Sequence, residues 1–297
     1  MTDIEQVTVA GGGVLGSQIA YQCAFKGKNV TVYDIGDEAV AAAKERVEAL
    51  RTAYKRDIQA TDEQFDAGLG RMSFTTDLGE AAKNADLVIE AIPEKPSIKH
   101  DFYQSLAKLA PEDTIFASNS STYVPSTFAA DTGRPDKFLN LHFANQIWLM
   151  NTAEIMGTNQ TDPDIYNRIV SFARQIGMVP IQLHKEQPGY VLNTLLMPLM
   201  GAAGMLWAHD VADPQTVDKT WMIATGAPKG PFGFYDMVGL RTAYNILCQR
   251  QGDNPQAKPL LDKLKAMIDQ GKLGEETGQG FYQYPDPEYQ DPGFLKA

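Results

Sequence analysis

Two patterns of apolar residues alternate along the first 185 residues of the chain. Short apolar runs, typical of buried strands, are separated by longer segments with the period of an α-helix, such as Leu15–Phe25 and Ala39–Tyr54. The predicted strands are Val7–Ala10, Val30–Asp34, Leu87–Ile92, Thr114–Ala117, Phe138–Phe143, Ala153–Met156 and Val179–Leu183. Strands that alternate with helices form parallel sheets covered on both faces, so the pattern predicts an α/β fold with a doubly wound sheet.

The pattern changes near Lys185. Before it, residues 39–70 form two helical segments that are longer than a strand crossover needs, which predicts an inserted helical hairpin. After it, Pro188-Gly189 marks a turn, and no strand-like alternation follows. The predicted helices there are Val191–Trp207, Pro214–Ala224, Leu240–Gln251 and Pro259–Gln270. We expect a sheet domain over residues 1–185 and an all-helical domain over residues 186–297, with an irregular proline-rich end at 284–297.

Composition narrows the class of protein. The 297 residues are 43% hydrophobic and 21% charged, as in ordinary globular domains, and the net charge of −11 argues against a nucleic-acid partner. The two cysteines, Cys23 and Cys248, lie far apart and indicate reduced thiols. The chain shows neither a leader-like start nor an apolar run of about 20 residues, so no signal peptide and no membrane span are expected. We predict a cytoplasmic protein without a metal site.

A glycine-rich turn follows the first predicted strand directly. Gly11, Gly13 and Gly16 occupy the positions of a GxGxxG motif between that strand and a helix, the context of a Rossmann-type dinucleotide site. The free N–H groups at the start of the helix favour phosphate binding. Asp34 ends the second strand and can bind both ribose hydroxyls, whereas its charge repels the 2′-phosphate of NADP. No arginine follows Asp34 directly, so the predicted cofactor is NAD.

Four histidines are candidates for proton transfer near neutral pH. His142 differs from His100, His184 and His209 because it lies near the end of an apolar strand, on the side of the sheet where such folds bind ligands. A histidine with a structural role is the commoner explanation for a single strand-end position. Position alone therefore makes His142 a candidate and does not decide its role.

Further segments resemble motifs of the 3-hydroxyacyl-CoA dehydrogenase family. LHFANQIWLMNTAEIM is similar to the active-site stretch of that family, in which a catalytic histidine precedes its orienting glutamate by twelve residues, and His142 and Glu154 keep this spacing. Similar segments follow in family order: EAIPEKPSIK (90–99), FASNSSTY (116–123), PGYVLNTLLMPLM (188–200), GPFGFYDMVGL (230–240) and TGQGFYQY (277–284). The resemblance covers nearly the whole chain and is far more specific than the glycine turn.

The resemblance implies roles for individual residues. His142 is implied as the acid and base, Glu154 as its orienting carboxylate, and Ser121 and Asn193 as groups that hold the substrate oxygen. A structural salt bridge for Glu154, and turn or helix-cap roles for Ser121 and Asn193, are the alternatives. Besides the glycines and Asp34, the residues implied in cofactor binding are Val14, Leu15, Ala91, Ile92, Glu94, Lys99 and Asn119. A solvated ion pair explains Glu94 and Lys99 equally well.

The chain departs from the family pattern on the acyl side. Where the family usually reads HFFNPxPxMxLVE, this chain reads HFANQIWLMNTAE, so Gln146 and Trp148 replace two prolines while Asn145 is kept. Thr194 stands where an arginine usually follows the junction asparagine. Asn145 is implied in substrate binding, as are Lys55 and Arg56 of the hairpin, a region that meets the CoA phosphates in the family. A solvated helix face explains these two cations equally well.

Three functions follow as hypotheses. The first is an NAD-dependent 3-hydroxyacyl-CoA dehydrogenase for short chains. The second keeps the chemistry but acts on a small free 3-hydroxy acid such as L-gulonate or carnitine, which would suit the altered stretch 144–152. The third is a non-catalytic dinucleotide-binding protein with a structural role, against which the intact His142 and Glu154 argue. The apolar segment 190–207, with the resemblance, predicts a homodimer through the helical domain.

Overall fold

The computed structural model describes residues 3–251 and 254–296. The chain divides into two compact units, the first ending at Val191 and the second beginning at Leu192. This division lies six residues beyond the boundary predicted after residue 185, because Tyr190 and Val191 still form hydrogen bonds with the first unit. The first unit is the α/β part of the chain and the second is helical, so the predicted fold class is confirmed.

The first unit contains eight strands and six α-helices among its described residues. The strands are β1 Gln6–Ala10, β2 Asn29–Tyr33, β3 Met72–Thr75, β4 Leu87–Glu90, β5 Ile115–Ser118, β6 Phe138–Phe143, β7 Thr152–Gly157 and β8 Val179–Leu183. The helices are α1 Val14–Phe25, α2 Asp37–Ile58, α3 Asp62–Leu69, α4 Leu78–Ala82, α5 Pro96–Leu109 and α6 Pro163–Gln175. Helices α2 and α3 are the inserted hairpin expected over residues 39–70.

One sheet joins all eight strands in the order β3-β2-β1-β4-β5-β6-β7-β8. Strands β4, β5 and β6 are buried along their whole length, as expected of central strands covered on both faces. Only the β6–β7 pair is antiparallel among the described strands. The loop between them, residues 144–151, is too short for the crossover that a parallel pair requires, so the chain turns back directly.

Strand β3 was absent from the sequence prediction. Its four residues, MSFT, include the exposed Ser73 and three half-buried side chains, so no apolar run marks them. The strand lies at the edge of the sheet and pairs only with β2. Edge strands are short and partly polar because only one side of them is hydrogen-bonded to a neighbour.

Aromatic packing holds the hairpin against the sheet unit. Tyr21 and Phe25 of α1 contact Tyr54 of α2, and Tyr21 stacks on Phe65 of α3 with ring centroids 4.2 Å apart. Trp148 from the loop 144–151 joins this cluster, 5.1 Å from the Tyr54 ring. The hairpin is therefore part of the packed core and brings the loop after β6 into contact with α2.

The second unit contains five α-helices among its described residues: α7 Leu192–Ala208, α8 Pro214–Thr225, α9 Pro231–Val238, α10 Leu240–Gln251 and α11 Lys258–Asp269. Helix α9, PFGFYDMV, was not predicted, because it is only eight residues long and contains a glycine. Proline at its first position favours the start of a helix. In the described part of the chain, no helix combines the length and apolarity needed to cross a membrane.

The end of the chain packs into the second unit through two buried carboxylates. Asp236 accepts hydrogen bonds from the backbone N–H groups of Phe281 and Tyr282 and from the Tyr284 hydroxyl. Asp218 accepts a hydrogen bond from the Tyr282 hydroxyl, 2.9 Å away. Although the proline-rich end was expected to be irregular, Tyr289 and Phe294 are buried in the same core. The TGQGFYQY segment therefore has a structural role, as a hydrogen-bonding partner of these carboxylates.

The pH dependence of stability should reveal Asp236. Burial, reinforced by Glu275, raises the pKa of Asp236 from 3.8 to about 6 despite its hydrogen bonds. The folded state therefore binds more protons than the unfolded state between pH 4 and 6, and stability falls as pH rises through this window, by roughly 3 kcal/mol. Asp236→Asn should lack this component. Urea unfolding followed by tryptophan fluorescence at several pH values tests it, and parallel pH profiles for the two proteins would contradict it.

Candidate active site

The turn between β1 and α1 leaves almost no room for side chains. Gly11 has a φ of +99°, and a Cβ there would lie 2.5 Å from the Ala91 carbonyl oxygen. A Cβ on Gly16 would lie 1.9 Å from the Gly11 oxygen, and Gly12 is equally crowded by α2. At Gly13, by contrast, a Cβ would meet no atom within 4 Å. The turn is thus open on one side, where the backbone can approach a pyrophosphate.

Asp34 is tied to the glycine turn. Its carboxylate accepts hydrogen bonds from the N–H groups of Gly12 and Ile35, each 2.8 Å long. The Arg46 guanidinium, from α2, donates to the Gly12 carbonyl oxygen at 3.0 Å. Although no arginine follows Asp34 directly in sequence, a cation therefore lies beside the turn. Asp34 is the only carboxylate that the structure shows bonded to the described turn residues.

The cofactor preference should depend on Asp34. With the carboxylate held at the turn, kcat/KM should favour NAD over NADP by at least about tenfold, since placing the 2′-phosphate beside it costs on the order of 1.4 kcal/mol or more. Asp34→Asn should reduce the preference, because the repulsion disappears while Arg46 remains. Steady-state rates with both cofactors measure this ratio. Equal use of both cofactors by the unmodified protein would remove Asp34 from this role.

A cleft of about 220 Å³ lies at the start of α1. Its lining residues are Gly13, Val14, Leu15, Gly16, Glu90, Ala91, Ile92, Glu94, Lys99, Asn119 and Ser121. For all of them except Glu90, the sequence predicts contact with cofactor or substrate. The structure thus brings together residues from the glycine turn, the end of β4, helix α5 and the end of β5.

A buried ion-pair network forms part of the cleft wall. Lys99 is 1% exposed, and its ammonium group donates to Glu90 and lies 3.1 Å from Glu94. Burial raises the pKa of Glu94, but the Lys99 charge and a hydrogen bond from Ser120 outweigh it, and the pKa falls below its usual value. The Lys99 end of this ion pair is therefore buried, whereas Glu94 keeps 36% of its side chain exposed. The principal partner, Glu90, was missed because it lies inside an apolar strand.

His142 lies between a carboxylate and a hydroxyl. Its register partner on β7 is Glu154, and Nδ1 is 2.9 Å from Glu154 Oε2. Its Nε2 is 3.0 Å from Ser121 Oγ. His142 and Glu154 are buried, at 4% and 2% exposure, whereas Ser121 is exposed at the cleft. Since a carboxylate only accepts hydrogen bonds, Glu154 favours the tautomer with the proton on Nδ1 and the Nε2 lone pair toward Ser121.

Tyr190 and Asn140 support this pair and were missed from the sequence. The Tyr190 ring stacks on the imidazole of His142, with centroids 4.4 Å apart and planes 12° from parallel. The Tyr190 hydroxyl donates to the Ser120 carbonyl oxygen at 2.6 Å and accepts a hydrogen bond from Asn140. The next backbone N–H, of Val191, donates to Glu154. The PGY segment was the available signal, but its partners lie far away in sequence.

The remaining candidates belong to the loop after β6, the end of α2 and the start of α7. Asn145 is exposed in the loop after β6, and Asn193 is the second residue of α7 in the second unit. Lys55 and Arg56, at the end of α2, form ion pairs with neighbouring carboxylates and do not line the cleft. The role of the two cations in substrate binding stays a prediction, and a solvated helix face explains them equally well.

The chemistry of the cleft suits a dinucleotide. The turn is open only at Gly13 among its four glycines, helix α1 begins without a side-chain cap or an acidic residue, and Asp34 lies beside the turn. Bound there, NAD would be held by the start of α1 and by Asp34, and it would supply hydride transfer. His142 and Ser121 then offer a proton acceptor and a hydroxyl at the same side of the site.

Comparison with known families agrees with this chemistry. The pattern described as "3-hydroxyacyl-CoA dehydrogenase, NAD binding domain" matches residues 6–187, and "3-hydroxyacyl-CoA dehydrogenase, C-terminal domain" matches residues 189–284. The chain belongs to the 3-hydroxyacyl-CoA dehydrogenase family. It is an NAD-dependent oxidoreductase, with the sheet unit as its NAD-binding part.

Relatives from this family match over nearly the full length. The chain is 34% identical to human mitochondrial hydroxyacyl-coenzyme A dehydrogenase over 95% of this chain and 91% of that protein. Among solved structures, (S)-3-hydroxybutyryl-CoA dehydrogenase from Ralstonia eutropha is 30% identical, with a TM-score of 0.79 over 96% of this chain and all of that one. A diketoreductase, solved in work on dual catalysis of dicarbonyl compounds, is 54% identical, with a TM-score of 0.90 over 96% and 100% of the two chains.

Proposed function

We propose that this family member interconverts (S)-3-hydroxyacyl-CoA and 3-oxoacyl-CoA, with His142 as the proton donor and acceptor. The observation that carries the proposal is the hydrogen-bonded series Ser121–His142–Glu154, whose exposed end opens on the cleft beside the glycine turn. Support for the thioester comes from the names of the relatives with full-length similarity. Short acyl chains stay a prediction from the sequence.

The residues divide the proton chemistry between them. In the oxidative direction, Nε2 of His142 takes the proton of the C3 hydroxyl as the hydride leaves that carbon. Glu154 stabilises the imidazolium through Nδ1 and is itself held by the Val191 N–H at 2.9 Å. In the reductive direction, the imidazolium returns the proton to the oxygen. Ser121 donates to the substrate oxygen, and Asn193 is proposed as a second donor.

The assay for this function follows NADH absorbance with acetoacetyl-CoA as the oxidised substrate. We expect NADH consumption in proportion to enzyme, and its loss in His142→Gln. A protein that binds NADH but consumes none with any 3-oxo substrate would instead support the non-catalytic, structural alternative.

A second candidate function is the reduction of free dicarbonyl compounds that lack CoA. The observation in its favour is the 54% identity to a diketoreductase, well above the identity to the thioester enzymes. Electrostatics point the same way, because residues 37–69 carry eight carboxylates against five cations. Three of these cations, Arg51, Lys55 and Arg56, already form ion pairs with carboxylates. Such a surface attracts the polyanionic CoA moiety weakly.

The two candidates separate in one experiment. Acetoacetyl-CoA and 2,4-pentanedione share a 1,3-dicarbonyl group and differ in what lies beyond the second carbonyl. If CoA is recognised, kcat/KM for the thioester should exceed that for the diketone, whereas a dicarbonyl reductase should show the opposite order. Free acetoacetate, L-gulonate and carnitine complete the panel, since a small 3-oxo or 3-hydroxy acid would react by the same chemistry.

Assembly is the last part of the proposal. Helix α7 leaves Leu192, Leu195 and Leu206 37%, 68% and 42% exposed, which supports a homodimer formed through the second unit. Light scattering at micromolar concentration should give twice the chain mass of 32.6 kDa, and a particle of that single mass would contradict the dimer. The cytoplasmic location stays a prediction of the sequence.

A further inference from the structure

The loop between β6 and β7, residues 144–151, has a backbone conformation that proline cannot adopt. Gln146 has a φ of +60°, in the left-handed region. Its carbonyl oxygen accepts hydrogen bonds from the backbone N–H groups of Leu149 and Met150, each 2.8 Å long, and these close a tight turn. Proline is locked near a φ of −65°, so the proline-bearing family pattern must follow another path at this position.

Gln18 holds the first half of the loop. Its side-chain oxygen accepts a hydrogen bond from the backbone N–H of Gln146 at 2.8 Å and a longer one from the N–H of Ile147 at 3.5 Å. Gln18 is 7% exposed and Ile147 is fully buried. Proline at position 146 has no N–H to donate, so this contact exists only because a non-proline residue occupies that position. Since Gln18 follows the glycine turn on α1, it connects the loop to the dinucleotide-binding helix.

Asp57 holds the second half of the loop. The Trp148 indole N–H donates to the Asp57 carboxylate at 2.8 Å, and the Trp148 ring packs on Tyr54. The Arg56 guanidinium binds the same carboxylate and, with the indole N–H, holds the pKa of Asp57 below its usual value. The loop is therefore attached to the acidic hairpin, while Leu149 and Met150 beyond it stay 44% exposed.

We propose that the loop 144–151 determines substrate selectivity, with Gln18 and Asp57 as positioning residues that keep it in a form favouring compact 1,3-dicarbonyl substrates over CoA thioesters. The loop begins two residues after His142 and ends three residues before Glu154, so its path borders the catalytic pair on both strands. The loop contains no lysine or arginine, and its exposed side chains Leu149 and Met150 are apolar, so a substrate that contacts it would meet no positive charge there. The inference rests on the second candidate function proposed above, the reduction of free dicarbonyl compounds, and on the His142 chemistry that both candidates share.

The test compares two substrates within each protein preparation. The ratio of kcat/KM for 2,4-pentanedione to that for acetoacetyl-CoA is independent of the folded fraction, so a purely structural defect leaves it unchanged. Gln18→Ala removes the acceptor. Trp148→Phe keeps an aromatic ring, smaller than indole, but removes the N–H. Gln146→Pro removes both the N–H and the positive φ. Gln146→Asn is the matched control, since asparagine tolerates the left-handed region and keeps the N–H.

Gln18→Ala, Trp148→Phe and Gln146→Pro should each lower the ratio of kcat/KM for 2,4-pentanedione to that for acetoacetyl-CoA by about tenfold. This is the equivalent of one lost hydrogen bond in the site. The ratio in Gln146→Asn should stay near that of the unmodified protein, and KM for NADH should stay constant in all variants. An unchanged ratio in Gln18→Ala and Trp148→Phe would overturn the inference even if Gln146→Pro fails to fold. If the unmodified protein reduces neither substrate, the proposed function fails, which is a separate result.

Discussion

Replacing His142 by glutamine should reduce kcat by roughly 10²–10⁴, the usual contribution of a positioned acid and base. Glutamine keeps a polar side chain next to Ser121 and Glu154 but accepts no proton at neutral pH. NADH affinity should stay nearly constant, because the contacts of the glycine turn do not involve His142. Rapid-mixing rates and NADH fluorescence titrations measure the two quantities separately.

The control for this prediction is a double-mutant cycle with Glu154. Glu154→Gln alone should also slow the reaction, because a neutral partner stabilises the imidazolium less. In the double variant the losses should not add, since the carboxylate acts only through the imidazole. Thermal melts of all four proteins run in parallel. Additive losses, or losses that follow the melting temperature, would assign the pair a structural role.

The second large effect concerns two glycines of the same turn. Gly13→Val should fold normally, because the Cβ position is open, yet weaken NADH binding by about 10–100-fold, since the side chain blocks charge-assisted hydrogen bonds to the pyrophosphate. Gly16→Ala should instead destabilise the protein by about 1–3 kcal/mol or more, because its Cβ would overlap the Gly11 carbonyl oxygen. Gly13→Val should therefore have the weaker NADH affinity, and Gly16→Ala the lower melting temperature. If one variant were the worse in both measurements, the separate roles of the two glycines would be refuted.

Local patterns were sufficient to predict the fold class and most elements. The apolar runs correspond to seven of the eight described strands, and the twelve-residue spacing of His142 and Glu154 places them as register partners on adjacent strands. Strand β3 was missed because its side chains are only half-buried, and α9 because it is short. These elements are defined by their tertiary neighbours more than by their own sequence.

The supporting residues of the site could not be predicted from local patterns. Tyr190 contacts Asn140 across fifty residues, and Gln18 reaches the loop after β6 across 128 residues. The sequence pattern indicates only that Glu90 belongs to an apolar strand. In the structure, four hydrogen-bond donors surround its carboxylate. Each of these side chains acts through a partner that only the folded chain brings near it.

The left-handed residue at 146 couples this position to position 18. With proline at 146, the Gln18 amide oxygen would lose its 2.8 Å donor and keep only the longer contact with the Ile147 N–H. Proline at 146 would also be incompatible with the positive φ, so this one substitution would break the Gln18 contact and the turn together. Grafting this selectivity onto a proline-bearing relative would therefore require coordinated replacement at positions 18, 146 and 148, and single substitutions should fail.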